Sequence, residues 1–180
     1  MNKISFTTLV ISAIMLFTGC VQVTFPEPMP LNRKNKLYFP TCYQGTWSHN
    51  GKNEMLEEKI TISSKYIDLE DERIFLNEEN VLRKFNGYLI LNTKTDHNER
   101  FNVYLAKAKN GVLSIYNFDG EDEEKVAIWK EVLGEDGVKE LKSNDSGIEV
   151  EEIKLAVENN TTFRLLINKG GISHMGDFVK

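Results

Sequence analysis

Cysteine, proline and net positive charge are all scarce in this sequence. Two cysteines in 180 residues exclude a disulfide-held scaffold, and all four prolines lie between residues 21 and 40. Twenty-two Lys and Arg residues stand against 27 Asp and Glu residues, so the net charge is −5. A nucleic-acid partner is therefore not expected, because no basic stripe is available to neutralise phosphates. The length and the 41% hydrophobic content indicate one ordinary globular domain.

The first twenty residues carry the most specific motif. Lys3 precedes a largely apolar run over residues 4–17, which is shorter than the roughly 20 residues that span a bilayer but has the size of a signal-peptide core. Residues 16–20 (LFTGC) then resemble the lipobox of bacterial lipoproteins. The resemblance implies cleavage after Gly19, a diacylglyceryl group on the thiol of Cys20 and an acyl chain, such as palmitate, on the new amino terminus. Residues 1–19 are thus predicted to be a lipoprotein signal peptide.

The predicted lipidation places the chain at a bacterial membrane. Two or more acyl chains hold a protein firmly, at about 0.8 kcal/mol per buried CH₂. Val21 follows Cys20, whereas Asp at that position retains some lipoproteins in the inner membrane. We therefore expect a cell-envelope protein anchored through Cys20, in the outer rather than the inner membrane. An ordinary secreted protein and an N-terminal membrane helix are the alternatives.

Residues 20–40 are predicted to be the lipidated cysteine and a proline-rich tether. Three prolines spaced by two over residues 26–30 disfavour helix and favour an extended, semi-rigid segment. Three basic side chains over residues 33–36 would contact anionic head groups, or would simply be solvated. Residues 41–180 are predicted to form a single β-rich domain.

The remaining chain shows mainly the period-two alternation of β-strands. Asn86-Gly87 and Asn110-Gly111 each separate two alternating runs and predict hairpin turns. Residues 121–134 change to a helical period, with Asp122 or Asp119 as the cap and Gly134 as the end. A second short helix is predicted from Asn160 or Thr161, followed by a final strand. The fold class is therefore α+β and mostly β: an antiparallel β-meander, either a sheet or a partly closed barrel, with two short helices in the C-terminal half.

Residues 81–92 (VLRKFNGYLILN) carry a pattern of a leucine, a lysine, an aromatic residue, a glycine, a second aromatic residue, three apolar residues and an asparagine. This run resembles the central hairpin of small lipoproteins from Bacteroidota, which often continue into a helix and a strand. The resemblance covers most of the chain after the signal peptide. It implies a fold and an envelope location, and no activity.

Residues 45–47 (GTW) are similar to the G-x-W of the first lipocalin strand. In that family the tryptophan closes the floor of a barrel that holds a small molecule. The chain lacks the Thr-Asp-Tyr motif of lipocalins, and its helix at 121–134 comes earlier than the late lipocalin helix. A lipocalin-like carrier is therefore an alternative function, and Trp47 is expected in the core.

No motif for catalysis, metal binding or a cofactor is present. H-E-x-x-H, G-x-S-x-G, phosphate-loop and dinucleotide patterns are all absent. His49, His97 and His174 lie in separate polar or Gly-rich segments and are predicted to be surface residues, and Cys42 is predicted to be a buried or idle thiol. The acidic run 119–124 has the wrong spacing for a calcium loop and fits a solvated helix start. We therefore expect no enzyme, no metal and no cofactor.

These observations predict a non-enzymatic envelope lipoprotein that binds another protein or an envelope component. An immunity or inhibitor protein is one such form, and an acidic domain suits a basic partner. The small-molecule carrier is the alternative. The interior of the sheet discriminates between them, because an apolar cavity of several hundred Å³ favours a carrier and a solid core favours an interaction module.

Overall fold

The computed structural model describes residues 21–50, 59–69, 72–95, 99–142 and 150–180. These residues are mostly β, with 47% strand and 17% helix, which confirms the predicted fold class. The helices are α1 (Glu123–Leu133) and α2 (Asn160–Asn168), and a 3₁₀ turn spans Glu135–Gly137. The strands are β1 (Gln22–Thr24), β2 (Gly45–His49), β3 (Lys59–Ile62), β4 (Tyr66–Asp68), β5 (Arg73–Phe75), β6 (Asn80–Phe85), β7 (Tyr88–Lys94), β8 (Phe101–Lys109), β9 (Val112–Asn117), β10 (Val138–Lys142), β11 (Val150–Leu155) and β12 (Ser173–Val179).

Nine strands form one antiparallel, nearly closed, barrel-like sheet in the order β5-β4-β3-β2-β12-β9-β8-β7-β6. Two meanders, β2 to β5 and β6 to β9, are joined by the last strand, β12, which pairs with both β2 and β9. A smaller sheet has the order β1-β11-β10, in which β1 is parallel to β11. The meander prediction is confirmed, and the central place of β12 is a new finding.

Both predicted hairpin turns are present. Asn86 and Gly87 have φ angles of 51° and 83°, and Asn110 and Gly111 have φ angles of 53° and 78°. Two successive positive φ angles are typical of the type I′ turn, which matches the right-handed twist of the strands it joins. The Asn-Gly dipeptides therefore set the pairing of β6 with β7 and of β8 with β9.

Helix α1 begins and ends at the expected residues. The carboxylate of Asp122 accepts hydrogen bonds from the backbone N–H groups of Glu124 and Lys125, and Gly134 at φ 75° ends the helix. Asn159 caps α2 by accepting from the Thr162 N–H. Within the described chain, neither helix has the length and hydropathy needed to cross a bilayer.

The nine-stranded sheet has a separate core on each face. The outer core fills the space between the sheet, the two helices and the small sheet; it includes Phe25, Met29, Ile90, Trp129 and Phe163. The inner core lies inside the curve of the sheet; it includes Phe39, Trp47, Ile62, Leu89 and Phe178. Successive strand residues alternate between the two cores because side chains of a strand point to opposite faces.

Residues 21–40 do not form a tether, and the prediction is corrected here. The side chains of Phe25 and Met29 are 0% exposed and belong to the outer core. Arg83 donates to the carbonyls of Pro28 and Pro30, which fastens the proline-rich stretch to β6. The stretch is also not the extended segment that the prolines predicted, because residues 26, 27, 29 and 30 form bends and residues 31 and 32 form a turn. Its apolar side chains pack on the surface that the sheet offers.

Candidate ligand-binding site

The inner face of the nine-stranded sheet encloses a cleft of about 660 Å³. This volume lies within the range of roughly 300–1,000 Å³ that is usual for small-molecule sites. Strands β3 to β9 and β12 all contribute side chains to it, so the cleft is formed by the curvature of the whole sheet. Below, it is called the inner cleft.

The register of β6, β7 and β8 arranges the wall of the inner cleft in rows. Asn80 pairs with Thr93, which pairs with Asn102, and all three line the cleft. We call these three residues the polar row. Two residues further along each strand is a second row that lines the cleft; it consists of Leu82, Leu91 and Tyr104. The cleft therefore has neutral polar side chains at one end and mainly apolar side chains below them.

Many aliphatic side chains that line the inner cleft are not fully covered by other parts of the protein. Leu82, Leu113 and Phe178 are at most 1% exposed and form solid wall. Six further apolar side chains line the cleft and remain only partly buried: Ile67, Leu69, Ile74, Leu91, Ile115 and Met175. Contact with an apolar ligand would remove this surface from water, at about 25 cal/mol per Å².

Residues 36–39 connect β6, one edge strand of the sheet, to the turn between β3 and β4. The Lys36 N–H donates to the Leu82 carbonyl of β6 at 2.7 Å, and the Phe39 N–H donates to the Ser64 carbonyl at 2.8 Å. Phe39, from the segment that was expected to be outside the domain, thereby lines the cleft together with Tyr43. This segment therefore links one edge of the nearly closed sheet to the strands near its other edge without adding a strand.

The cations near the polar row are engaged by carboxylates. Arg73 Nε and Nη2 donate to the two Asp68 carboxylate oxygens at 2.8 and 2.9 Å, and this hydrogen bonding lowers the pKa of Asp68. Lys94 Nζ lies 3.3 Å from Glu99 Oε1. With Glu72, which also lines the cleft, the charged residues of the wall carry both signs, so the cleft does not present a strong charge of one sign beside the neutral polar row.

Tyr43 is a titratable residue of the cleft wall whose pKa is displaced. Burial raises its pKa above the usual value, although a backbone hydrogen bond from Ala108 acts in the opposite direction. The hydroxyl donates to the Ala106 carbonyl at 3.3 Å. Because the folded-state pKa lies above the unfolded value of about 10, the stabilisation from the neutral hydroxyl is complete below that pH and is lost as the pH rises through the folded-state pKa.

Tyr43→Phe should therefore flatten the alkaline loss of stability. Urea melts of parent and variant between about pH 8 and about pH 11, a range that spans the ordinary tyrosine pKa, measure the effect. The parent should lose stability faster than the variant towards the upper limit, since the other tyrosines and lysines are common to both chains. Two parallel curves would show that Tyr43 ionises freely in the folded state.

Two of the histidine candidates in the described chain, His49 and His174, lie near the same carboxylate, that of Asp177. Cys42 is exposed and free, which corrects the prediction that it is buried and agrees with an idle thiol. His174 Nε2 lies 2.9 Å from Asp177, whose pKa is lowered by a hydrogen bond from Ser114 and then by His174. Ser114 and His174 thus share one carboxylate, whereas a catalytic triad needs the histidine between the other two. Cys20, His97 and residues 1–19 lie outside the described residues.

The acidic run 119–124 is relevant to whether the described residues can hold a metal ion. Among the described residues, no group of three His, Cys, Asp or Glu side chains is placed to hold a metal ion. The Asp119 carboxylate accepts from the Glu121 N–H, and Asp122 caps α1, so the run 119–124 is a helix start, as predicted.

Trp47 of the G-x-W motif is a core residue, as predicted. It is 1% exposed, and its indole N–H donates to the Tyr43 carbonyl at 2.8 Å. Lys180 Nζ lies 4.5 Å from the centre of the Trp47 ring, a cation–π contact. The tryptophan therefore supports one side of the inner core and fixes the backbone that carries Tyr43.

Sequence reasoning did not identify the lining of the inner cleft. The alternating pattern marked Leu89, Leu91 and Ile115 as apolar strand positions, but many strand positions share that property. Met175 lies at a register shift between His174 and Gly176, which no turn or charge signal announces. Comparison of the chain with protein-family models, with curated proteins and with solved structures finds no match in any of the three.

Proposed function

We propose that this chain is a lipid-anchored protein of the bacterial envelope that binds a small apolar ligand in its inner cleft. The observation that carries the proposal is the cleft of about 660 Å³ with its partly buried aliphatic wall. Interaction modules usually have solid cores, whereas a concave site lined mainly by apolar side chains with a few polar groups is typical of small-molecule binding. The small-molecule carrier, the alternative at the level of sequence, thereby becomes the preferred function.

The location rests on the lipobox over residues 16–20 and on the acylation of Cys20 that it implies. The outer membrane is the proposed site, because Val21 follows the cysteine. The role is proposed to be binding without catalysis, which is consistent with the pairing of Ser114 and His174 with one shared carboxylate.

A variant that fills the inner cleft tests whether an apolar ligand binds there. Ala106 lines the cleft and is partly buried, so Ala106→Phe would place a ring in the space that the ligand needs. We expect binding of a fluorescent apolar probe, measured by titration, to weaken at least about tenfold, which corresponds to ~1.4 kcal/mol. The matched control is Ala127→Phe, because Ala127 is exposed on α1 and far from the inner face.

Native mass spectrometry of the purified parent provides a second measurement. The parent should carry a small molecule that Ala106→Phe lacks, while urea melts show both chains folded. Unchanged probe binding by a folded Ala106→Phe protein would contradict the proposal.

A protein partner is the second candidate, because one exposed apolar patch lies outside the cleft. Leu37, Tyr38 and Phe75 are 70%, 54% and 51% exposed. Lys65 Nζ lies 5.4 Å from the Tyr38 ring centre, and the Phe75 ring lies 5.4 Å from Tyr66. Exposed aromatic side chains are typical of interaction surfaces. An envelope partner that crosslinks to the parent but not to Tyr38→Ala, with no small molecule bound, would favour this candidate, including an immunity or inhibitor role.

A further inference from the structure

The described chain begins beside the polar end of the inner cleft. Gln22 Nε2 donates to Asn102 Oδ1 at 3.2 Å, and Asn102 belongs to the polar row. Phe25 and Phe101 exchange two backbone hydrogen bonds of 2.9 Å, which hold the end of β1 against the start of β8. The start of β1 is therefore attached to the same end of β8 that carries the polar row.

Val21 is also fixed in place. A Cβ built on Gly120 would lie only 2.6 Å from Val21 Cγ1, so a glycine is needed where the chain enters the fold. Cys20 precedes Val21 directly, so two peptide units separate Cys20 from Gln22, the first residue of β1. Two peptide units span at most about 7 Å. No tether separates the proposed anchor from β1, so an anchor on Cys20 would hold the polar end of the cleft close to the bilayer.

The chemistry of the cleft matches one class of membrane molecule. The polar row offers amide and hydroxyl groups, which both donate and accept hydrogen bonds without carrying charge. A carboxylate or phosphate head would have to compete with Asp68 and Glu99 for Arg73 and Lys94. Beneath the row, the aliphatic wall suits a single apolar tail.

We propose that the inner cleft binds a single-tailed amphiphile with an uncharged head group, taken directly from the membrane that holds Cys20. The head group hydrogen-bonds to the polar row, and the tail extends along Leu91 and Ile115. This proposal rests on the proposed function, both for the cleft as the binding site and for the anchor.

The test uses the acylated protein in phosphatidylcholine vesicles that contain a monoacylglycerol with a brominated tail. Bromine quenches tryptophan at short range. Trp47 packs in the inner core with cleft-lining Ile60 and Phe178, whereas Trp129 lies in the outer core, on the other face of the sheet. We expect quenching in the parent, and its loss in Ala106→Phe.

The head group is tested by Thr93→Val, which keeps the shape of the side chain and removes its hydroxyl. Binding of the monoacylglycerol should weaken about three- to tenfold, the effect of one neutral hydrogen bond, while quenching by a brominated alkane is unchanged. Replacing the monoacylglycerol by the brominated fatty acid should also weaken binding. Equal binding of the fatty acid and the monoacylglycerol would overturn the uncharged head group.

The membrane as the source is tested by Cys20→Ala, which should lose labelling by an acyl-chain probe and remain in solution. With the same vesicles, its quenching should develop more slowly than that of the anchored parent. Equal rates would overturn the direct route. Quenching by the alkane without quenching by the vesicle-borne monoacylglycerol overturns this inference alone, and no quenching by either ligand overturns the proposed function as well.

Discussion

Replacement of Trp129 by alanine is expected to lower the free energy of unfolding by about 3–5 kcal/mol, the usual effect of emptying a buried aromatic site. Trp129 is 0% exposed, and its indole N–H donates to the Gly171 carbonyl at 2.7 Å. Phe118 lies against it, with ring centres 5.9 Å apart. Alanine would leave both a cavity in the outer core and an unpaired buried carbonyl.

Urea melts measure this loss, and two further variants separate its causes. Trp129→Phe retains most of the ring volume and removes the N–H donor, so it should cost less than Trp129→Ala. Tyr38→Ala removes a large aromatic side chain that is 54% exposed and should change stability by less than about 0.5 kcal/mol. A loss below ~1 kcal/mol for Trp129→Ala would mean that α1 does not depend on this contact.

Replacement of Asn92 by leucine is expected to cost about 3 kcal/mol or more. Asn92 is 0% exposed; its Oδ1 accepts from the Met29 N–H at 2.6 Å, and its Nδ2 donates to the carbonyls of Met29 at 2.9 Å and Val81 at 3.1 Å. Leucine has nearly the same volume but removes all three hydrogen bonds, and it leaves the buried N–H and carbonyl of Met29 without this partner. Each buried group that loses its partner costs about 1–3 kcal/mol.

Asn92→Asp adds a pH dependence. The introduced carboxylate still accepts from Met29 but faces two carbonyls, so burial would raise its pKa above the unfolded value of about 3.9. The protonated form can donate one of the lost hydrogen bonds. This variant should therefore be less destabilised near about pH 4 than at about pH 7, because stability is lost as the pH rises through the raised pKa.

The matched control is Asn168→Leu, because Asn168 is exposed and accepts a single hydrogen bond from Asn86. It should change stability by less than about 0.5 kcal/mol. Hydrogen exchange at the Met29 amide should accelerate in the Asn92 variants, since that amide loses its acceptor. An Asn92→Leu protein with parental stability and exchange would mean that residues 21–40 are not part of the folded unit.

Elements defined by neighbours in sequence could be predicted from the sequence. Asn86-Gly87 and Asn110-Gly111 specify their turns because few other dipeptides accept two positive φ angles. Asp122 could be chosen as a helix cap because its acceptor reaches N–H groups two and three residues later. These interactions depend on local backbone geometry.

Pairing between distant segments could not be predicted. Thr24 in β1 donates to Glu152 in β11, across a separation of 128 residues. Strand β12 joins β2 to β9, and many antiparallel orders satisfy the same alternation of side chains. Only the fit of side chains in the complete sheet selects one order.

Asn92 shows that the partner of a residue cannot be predicted from the sequence even within a recognised motif. It ends the run over residues 81–92 that resembles other lipoproteins, but an asparagine in a strand does not reveal its partner. Its partner is Met29, 63 residues earlier, in the stretch that the prolines had marked as a tether. The burial of this stretch could not be predicted, because burial depends on what the rest of the chain leaves uncovered.

The sequence by itself determined the strand alternation, the two hairpin turns and the start of both helices, because each depends on a few adjacent residues. It also supplied the hypothesis of an acylated Cys20. Tertiary structure alone decided that residues 21–40 pack into the domain and that the sheet encloses a cleft. A strand has two faces of equal period, so sequence cannot specify which face meets the helices and which curves around an empty space. That choice depends on the twist of nine strands together and on residues 36–39, which connect β6 to the β3–β4 turn.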